Sequence, residues 1–215
     1  MQSMRKIEGI AAPLPITNLD TDQIMPKQFL KGIDKKGLDK GLLYDLRFDD
    51  MGNLRQDFVL NQAEYANATI ILGAANFGCG SSREHAVWGL LQFGIQAVIA
   101  PSFGEIFYSN AINNRLLVCQ VTEDAADRLM QIASASPGTS FVLDIESLTI
   151  TAGDETVPFQ LAPRYQSAFL EGLDMIASTL KSVDRIRAFS ANWVKANPWL
   201  ENIGWKAGNE RINRS

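Results

Sequence analysis

Short apolar runs alternate with amphipathic stretches through the middle of the chain. Thr69-Ile70-Ile71-Leu72-Gly73 is short, apolar and β-branched, which suits a buried strand. Beyond it, Val87, Leu90 and Leu91 recur at helical spacing and the pattern stops at Gly94, so a helix is predicted over 83–93. The alternation repeats with a strand at 97–101, a helix at 103–113 and a strand at 116–121. A helix at 123–135 follows, starting after Thr122 with Glu123 and Asp124 in its first turn. Such an order predicts parallel strands joined by helical crossovers. Residues 141–145 and 148–152 then read as a hairpin closed by the two-residue loop Glu146-Ser147, with 156–161 extending it. The expected fold is α/β: a mixed, largely parallel sheet flanked by helices, with a late antiparallel element.

Two regions break the pattern. Residues 27–56 are punctuated by Gly32, Gly37, Gly41 and Gly52, and 27–47 carries six cations against three acids. A segment so long and so poorly periodic reads as a mobile loop or lid, or else as a solvated surface excursion. The stretch 183–215 offers one helix, 183–196, and sets Trp193, Trp199 and Trp205 among polar residues. Aromatics in a terminal segment with little core of its own predict docking onto a surface, of this chain or of a partner.

Between the strand at 69–73 and the helix at 83–93 lies Gly78-Cys79-Gly80-Ser81-Ser82-Arg83-Glu84-His85, which includes the only histidine of the chain. In open α/β sheets, ligands bind at the carboxyl ends of strands. A helix start adds unpaired N–H groups and the positive end of the dipole, which together hold an anion. Gly78 and Gly80 let the backbone approach a ligand closely. Ser81 and Ser82 supply hydroxyls, and Arg83 supplies a planar fork for a carboxylate or phosphate. The turn reads as an anion site that can also stabilise an alkoxide on a serine. A purely structural reading uses two of the same residues: Ser81 and Glu84 fit the S-x-x-E capping box, worth about 1 kcal/mol. The dinucleotide fingerprint fails here for want of a third glycine, and no Walker loop exists. A Cys79–His85 nucleophilic pair lacks an orienting third group.

Composition narrows the classes. The chain has 215 residues, 46% hydrophobic and 20% charged, which fits a soluble globular protein. Its net charge of −4 disfavours nucleic acid as a partner. No run of about eighteen apolar residues is present, so no membrane span is expected. Residues 1–8 are polar and 9–16 are broken by Pro13 and Pro15, so no secretory signal is expected either. Two cysteines, Cys79 and Cys119, give no disulfide framework and point to a reducing compartment, the cytoplasm. Cys119, within an apolar run, is expected in the core. Two cysteines and one histidine cannot build a Cys-rich zinc or iron–sulfur site, so no metal site is expected within this chain.

Several motifs stand in order: Asn18-Leu19-Asp20-Thr21-Asp22-Gln23-Ile24-Met25-Pro26, then Asn76-Phe77 leading into the Gly-Ser turn and ending at Ala86. Ala100-Pro101-Ser102-Phe103-Gly104-Glu105-Ile106-Phe107, Asn113-Asn114-Arg115-Leu116-Leu117 and Gly172-Leu173-Asp174 follow. Together, over roughly residues 10–180, they resemble the small-subunit family of 3-isopropylmalate dehydratases, which corresponds to the swivelling terminal domain of aconitase. The resemblance implies a β/β/α-type swivelling domain over 1–182, with 27–56 as a mobile substrate loop and 183–215 as a helical extension. It implies half an enzyme, whose large-subunit partner carries a [4Fe–4S] cluster in a hetero-oligomer. Such an enzyme isomerises 2-isopropylmalate to 3-isopropylmalate by dehydration and rehydration, a step of leucine biosynthesis.

Carried over by motif, Ser81 is the base on the carbon-bound proton and Asp22 arranges the active site as the second catalytic residue. Ser82 and Arg83 hold a substrate carboxylate, with Gly80 and Thr21 beside them. Arg47, within Tyr44-Asp45-Leu46-Arg47-Phe48, falls in the loop that meets the variable side chain of the substrate. A serine hydroxyl is a poor base until its alkoxide is stabilised, which a helix start and nearby cations supply in part. From the residues alone, Asp22 reads first as a cap before 23–30, and only the resemblance gives it a catalytic role. Related hydro-lyases acting on citramalate, dimethylmaleate or homoaconitate, and a non-catalytic anion-binding module, are the alternative functions.

Overall fold

The backbone of the computed structural model is described for residues 3–30 and 36–200. It falls into two compact units that meet at the Gly172–Leu173 bond, ahead of the 182/183 join suggested by the sequence.

The first unit is built on one seven-stranded sheet. Strand β1 (Lys6–Leu14) leads to the one-turn helix α1 (Thr21–Ile24). Short 3-10 turns at Lys27–Phe29 and Leu38–Gly41 precede a second one-turn helix, α2 (Tyr44–Arg47). Two further 3-10 turns, Val59–Asn61 and Ala63–Tyr65, precede β2 (Ala68–Gly73). Then come α3 (His85–Phe93), β3 (Ala97–Ala100), α4 (Glu105–Asn113), β4 (Leu117–Gln120) and α5 (Glu123–Ala135). The meander β5 (Ser140–Asp144), β6 (Thr149–Ala152) and β7 (Glu155–Pro158) is followed by α6 (Pro163–Glu171).

The strand order is β4-β3-β2-β1-β5-β6-β7. The first four strands run parallel, and β1 joins them to the antiparallel meander through β5. The mixed α/β sheet expected from the βα alternation is therefore present. Ile70, Ile71 and Leu72 are all buried, as in a parallel strand covered on both faces. Ala125, Ala126, Leu129 and Ala133 form the buried stripe of α5, which packs on β1, β2 and β3.

Three features differ from the sequence reading. Strand β1 occupies a stretch the sequence pattern left unassigned, because Gly9 and Pro13 mask its apolar character. Pairing with β5 stops at Ile10, so at Pro13 only the β2 flank is paired, and a missing N–H is tolerated there. The β5–β6 loop has four residues rather than two: Asp144 pairs with Thr149, and its carboxylate accepts from the N–H groups of Glu146 and Ser147 at 2.9 and 3.0 Å. Finally, 38–43 is not a solvated excursion. Leu38, Leu42 and Leu43 are buried in the core, and the Leu38 N–H donates to Gln92 Oε1 on α3 at 2.9 Å.

The second unit holds α7 (Met175–Leu180), α8 (Val183–Ala196) and a 3-10 turn at Pro198–Leu200. Asp174 caps α7 by accepting from the Ala177 N–H at 2.6 Å. Helix α8 matches the helix expected at 183–196, and the Phe189 and Trp193 rings stack along it 5.9 Å apart. Trp205 lies outside the described residues. No helix among the described residues is long and apolar enough to cross a membrane.

Candidate active site

Parallel pairing of β1 with β2 sets Leu14 beside Gly73, so the loops that follow them leave the same end of the sheet side by side. Strand β3 ends there too, and its exit loop completes the group. This brings three sequence motifs together. The Gly78 N–H donates to Leu19 O at 2.7 Å, and the Thr21 N–H to Cys79 O at 2.9 Å. Asn76 Nδ2 donates to Asn18 Oδ1 at 2.8 Å. On the other flank, the Phe77 N–H donates to Ser102 O at 3.0 Å and the Gly104 N–H to Phe77 O at 2.9 Å. At Gly78, φ is +73° and a Cβ would lie 2.2 Å from the Phe107 ring, so only glycine fits.

Thr21 is the pin of the assembly. It is 1% exposed, and its Oγ1 donates to Ser81 O while accepting from the Ser81 N–H, both at 3.1 Å. Next to it, Arg83 Nη1 forms an ion pair with Asp22 Oδ1, and Lys27 Nζ stands 3.9 Å from Asp22 Oδ2. The Arg83 side chain is 21% exposed and that of Asp22 45%, so the pair lies at the lip of the site. Ser81 and Ser82 are exposed, and among the described residues neither hydroxyl has a hydrogen-bond partner. Gly80, between Asp20 and the serines, has φ +92°. Two exposed serines with open hydroxyls thus directly precede Arg83, whose guanidinium is steadied by a carboxylate.

The capping box expected from Ser81 and Glu84 does not form. Helix α3 begins at His85, with Glu84 in front of it and no side-chain cap. Tertiary partners take both residues: the Ser81 backbone goes to Thr21, and Glu84 Oε1 accepts from Asn114 Nδ2 at 2.5 Å. Asn114 Oδ1 in turn accepts from Trp88 Nε1 at 2.9 Å. Asn114, noted in the sequence only as part of a motif, therefore fixes the start of α3. The box forms instead one loop earlier, where Asp20 accepts from the Gln23 N–H at 2.7 Å and Gln23 Oε1 accepts from the Asp20 N–H at 3.1 Å. Asp20 is thus the cap, and Asp22 is left to pair with Arg83.

Arg47 is not brought to this turn. Its guanidinium lies over the Phe93 ring, 4.7 Å from the centroid, at the far end of α3. About 12 Å of helix, at ~1.5 Å per residue, separates Phe93 from His85. Of the cysteines, Cys79 Sγ donates to Asn18 O at 3.4 Å, while Cys119 is fully buried in β4, where desolvation pushes its thiol well above the usual range. Among the described residues no three His, Cys, Asp or Glu side chains gather as metal ligands.

Residues 1–124 match the sequence model of the aconitase C-terminal domain. The small subunit 1 of 3-isopropylmalate dehydratase from Chromobacterium violaceum is 56% identical over 198 residues, which cover 92% of this chain and 93% of that protein. The small subunit from Rhodospirillum centenum is 45% identical over 200 residues, 93% and 98% of the two chains. The chain belongs to the 3-isopropylmalate dehydratase small-subunit family. The fold agrees: a crystal structure of 3-isopropylmalate dehydratase from Methanocaldococcus jannaschii superposes with TM-score 0.59 at 26% identity, covering 86% of this chain and 99% of that one. Within this family, of the aconitase superfamily, three of the motifs that suggest membership from sequence, Asn18–Pro26, Asn76–Ala86 and Ala100–Phe107, meet at the β1–β2–β3 end of the sheet.

Proposed function

We propose that this chain is the small subunit of a 3-isopropylmalate dehydratase and acts with a large subunit to convert 2-isopropylmalate into 3-isopropylmalate, a step of leucine biosynthesis. The observation that carries the proposal is the joining of Thr21 and Asp22 to Ser81 and Arg83. The reaction removes a proton from the carbon next to a carboxylate and a hydroxyl from its neighbour, then restores water in the opposite sense. Ser81, with an open hydroxyl, takes and returns the carbon-bound proton. Arg83, steadied by Asp22, binds a substrate carboxylate through its fork and favours negative charge developing at the serine. Ser82 adds a hydroxyl, Gly80 lets the backbone come close, and Thr21 holds the Ser81 backbone in place.

The first compact unit, residues 1–172, serves as the swivelling domain that carries this turn to the large subunit. Of the segment 27–56, its start is the part suited to meet substrate, since Lys27 stands beside Asp22. The family resemblance assigns a [4Fe–4S] cluster to the large subunit. This chain does not suit such a cluster as a ligand, because Cys119 is enclosed in the sheet and Cys79 is engaged with Asn18. A reducing cytoplasm fits two free thiols.

The test is co-expression with the large subunit encoded nearest to it, followed by the ultraviolet absorbance of the unsaturated diacid formed from several hydroxy-diacids. Turnover of 2-isopropylmalate above citramalate and homoaconitate is expected. Ser81→Ala should abolish turnover while the subunits still co-purify. Full turnover by that variant removes Ser81 from the mechanism. Anion binding with no turnover by any pairing leaves only a binding module.

A further inference from the structure

A cavity of about 490 Å³ lies against the C-terminal end of α3. Its size falls among ligand sites, which occupy about 300–1,000 Å³ and set a few polar groups in apolar walls. The walls here are the rings of Phe29, Tyr44, Phe48 and Phe93. Phe29 and Tyr44 lie 5.0 Å apart, and Tyr44 stacks on Phe48 at 4.6 Å, so the aromatic surface is continuous.

Arg47 lines this surface, together with Asp39 and Lys40. Arg47 is anchored from behind: Nε donates to Asn61 Oδ1 at 3.1 Å and Nη1 to Leu42 O at 3.3 Å. Its guanidinium carbon lies over the Phe93 ring at 4.7 Å from the centroid and over the Phe48 ring at 5.3 Å. Among the described residues no carboxylate reaches it as an ion pair, and Nη2 has no hydrogen-bond partner. Burial pulls its pKa down, opposed by Asp39 acting through space. A half-buried cation with an open edge gains from a bound carboxylate that replaces the water it has lost. Lys40, also in the lining, adds a second cation, while Asp39 disfavours a second negative charge on the ligand.

We infer that this cavity is a second ligand site, separate from the Ser81 turn, for a small monocarboxylate with a branched or aromatic apolar body. The carboxylate meets the open edge of Arg47 and the body lies against the four rings. The site belongs to the chain itself, so the inference does not depend on the proposed dehydratase activity.

The test is titration of the full-length chain with phenylacetate and 4-methylpentanoate, followed by amide chemical shifts. Saturable shifts at residues 40–48 and 93 are expected. Neutral phenylacetamide should bind at least tenfold more weakly, and the diacid malate should not saturate these residues. Arg47→Gln should weaken phenylacetate at least tenfold, and Lys40→Glu several-fold, while Ser81→Ala leaves its binding unchanged. Lys40 is exposed, so its variant decides the matter if Arg47→Gln fails to fold. The inference is overturned by absence of saturation, by equal binding of the amide, by shifts confined to residues 78–84, or by unchanged binding in the folded Arg47 and Lys40 variants.

Discussion

Thr21 and Ser81, sixty residues apart, hold each other through one hydroxyl, which donates to the Ser81 carbonyl and accepts from the Ser81 N–H at 3.1 Å each. Both bonds are part-buried, and the threonine is nearly sealed from water. Thr21→Val keeps the shape and strands the Ser81 backbone groups. A loss of about 1–3 kcal/mol is expected, the usual cost of leaving buried groups unsatisfied. Chemical denaturation measures it, and activity of the reconstituted enzyme should fall further than stability does.

Arg83→Lys keeps the charge beside Asp22 and loses the two-pronged contact. With Arg83 as the carboxylate clamp, kcat/KM should drop roughly 10- to 100-fold, the equivalent of one charged hydrogen bond. Steady-state kinetics with saturating large subunit would show it, and an unchanged kcat/KM would take Arg83 out of substrate binding.

Gly78→Ala tests the packing of the loop after β2 against Phe107 of α4. A left-handed backbone costs about 1–2 kcal/mol, and forcing a methyl against Phe107 adds about 1–3 kcal/mol. The midpoint of urea unfolding should fall accordingly, and an unshifted midpoint would contradict the packing of Phe107 on this turn.

Asp144 governs part of the acid response. Its hydrogen bond from the Ser147 N–H and its contact with Lys6 hold its carboxyl down to about 2. A depressed folded-state pKa gives stability that is complete above the unfolded value of about 3.9 and is lost as pH falls toward 2. Asp144→Asn should lower Tm at pH 7 and flatten its decline between about pH 4 and 2. Parallel Tm–pH curves for the two proteins would refute this.

The two thiols should separate cleanly. Cys79 is partly accessible, whereas Cys119 is sealed in β4 with its pKa raised by burial. An aromatic disulfide reagent should modify one thiol in the native chain and both in denaturant. Rapid modification of both without denaturant would place Cys119 elsewhere.

Where a signal is local, the sequence carried it through. Helix α5 is legible at its start because Thr122 caps it within its own turn, accepting from the Ala125 N–H at 3.2 Å. The opposite case is Ser81-x-x-Glu84, a correct local pattern that does not close because the Ser81 N–H goes to Thr21 and the Glu84 carboxylate to Asn114. Strand β1 stays hidden in the sequence because Gly9 and Pro13 interrupt its apolar run.

By itself, the order of residues determined the βα alternation, the buried β2–β4 strands and the membership of the Asp22 and Ser81 motifs in one family, since each rests on neighbours within a few positions. Only the tertiary structure decided that these motifs touch, that Asp20 rather than Asp22 is the cap, and that Arg47 stands at the other end of α3. Those outcomes depend on which strands lie side by side, and strand adjacency is set by burial of the whole sheet rather than by any one segment.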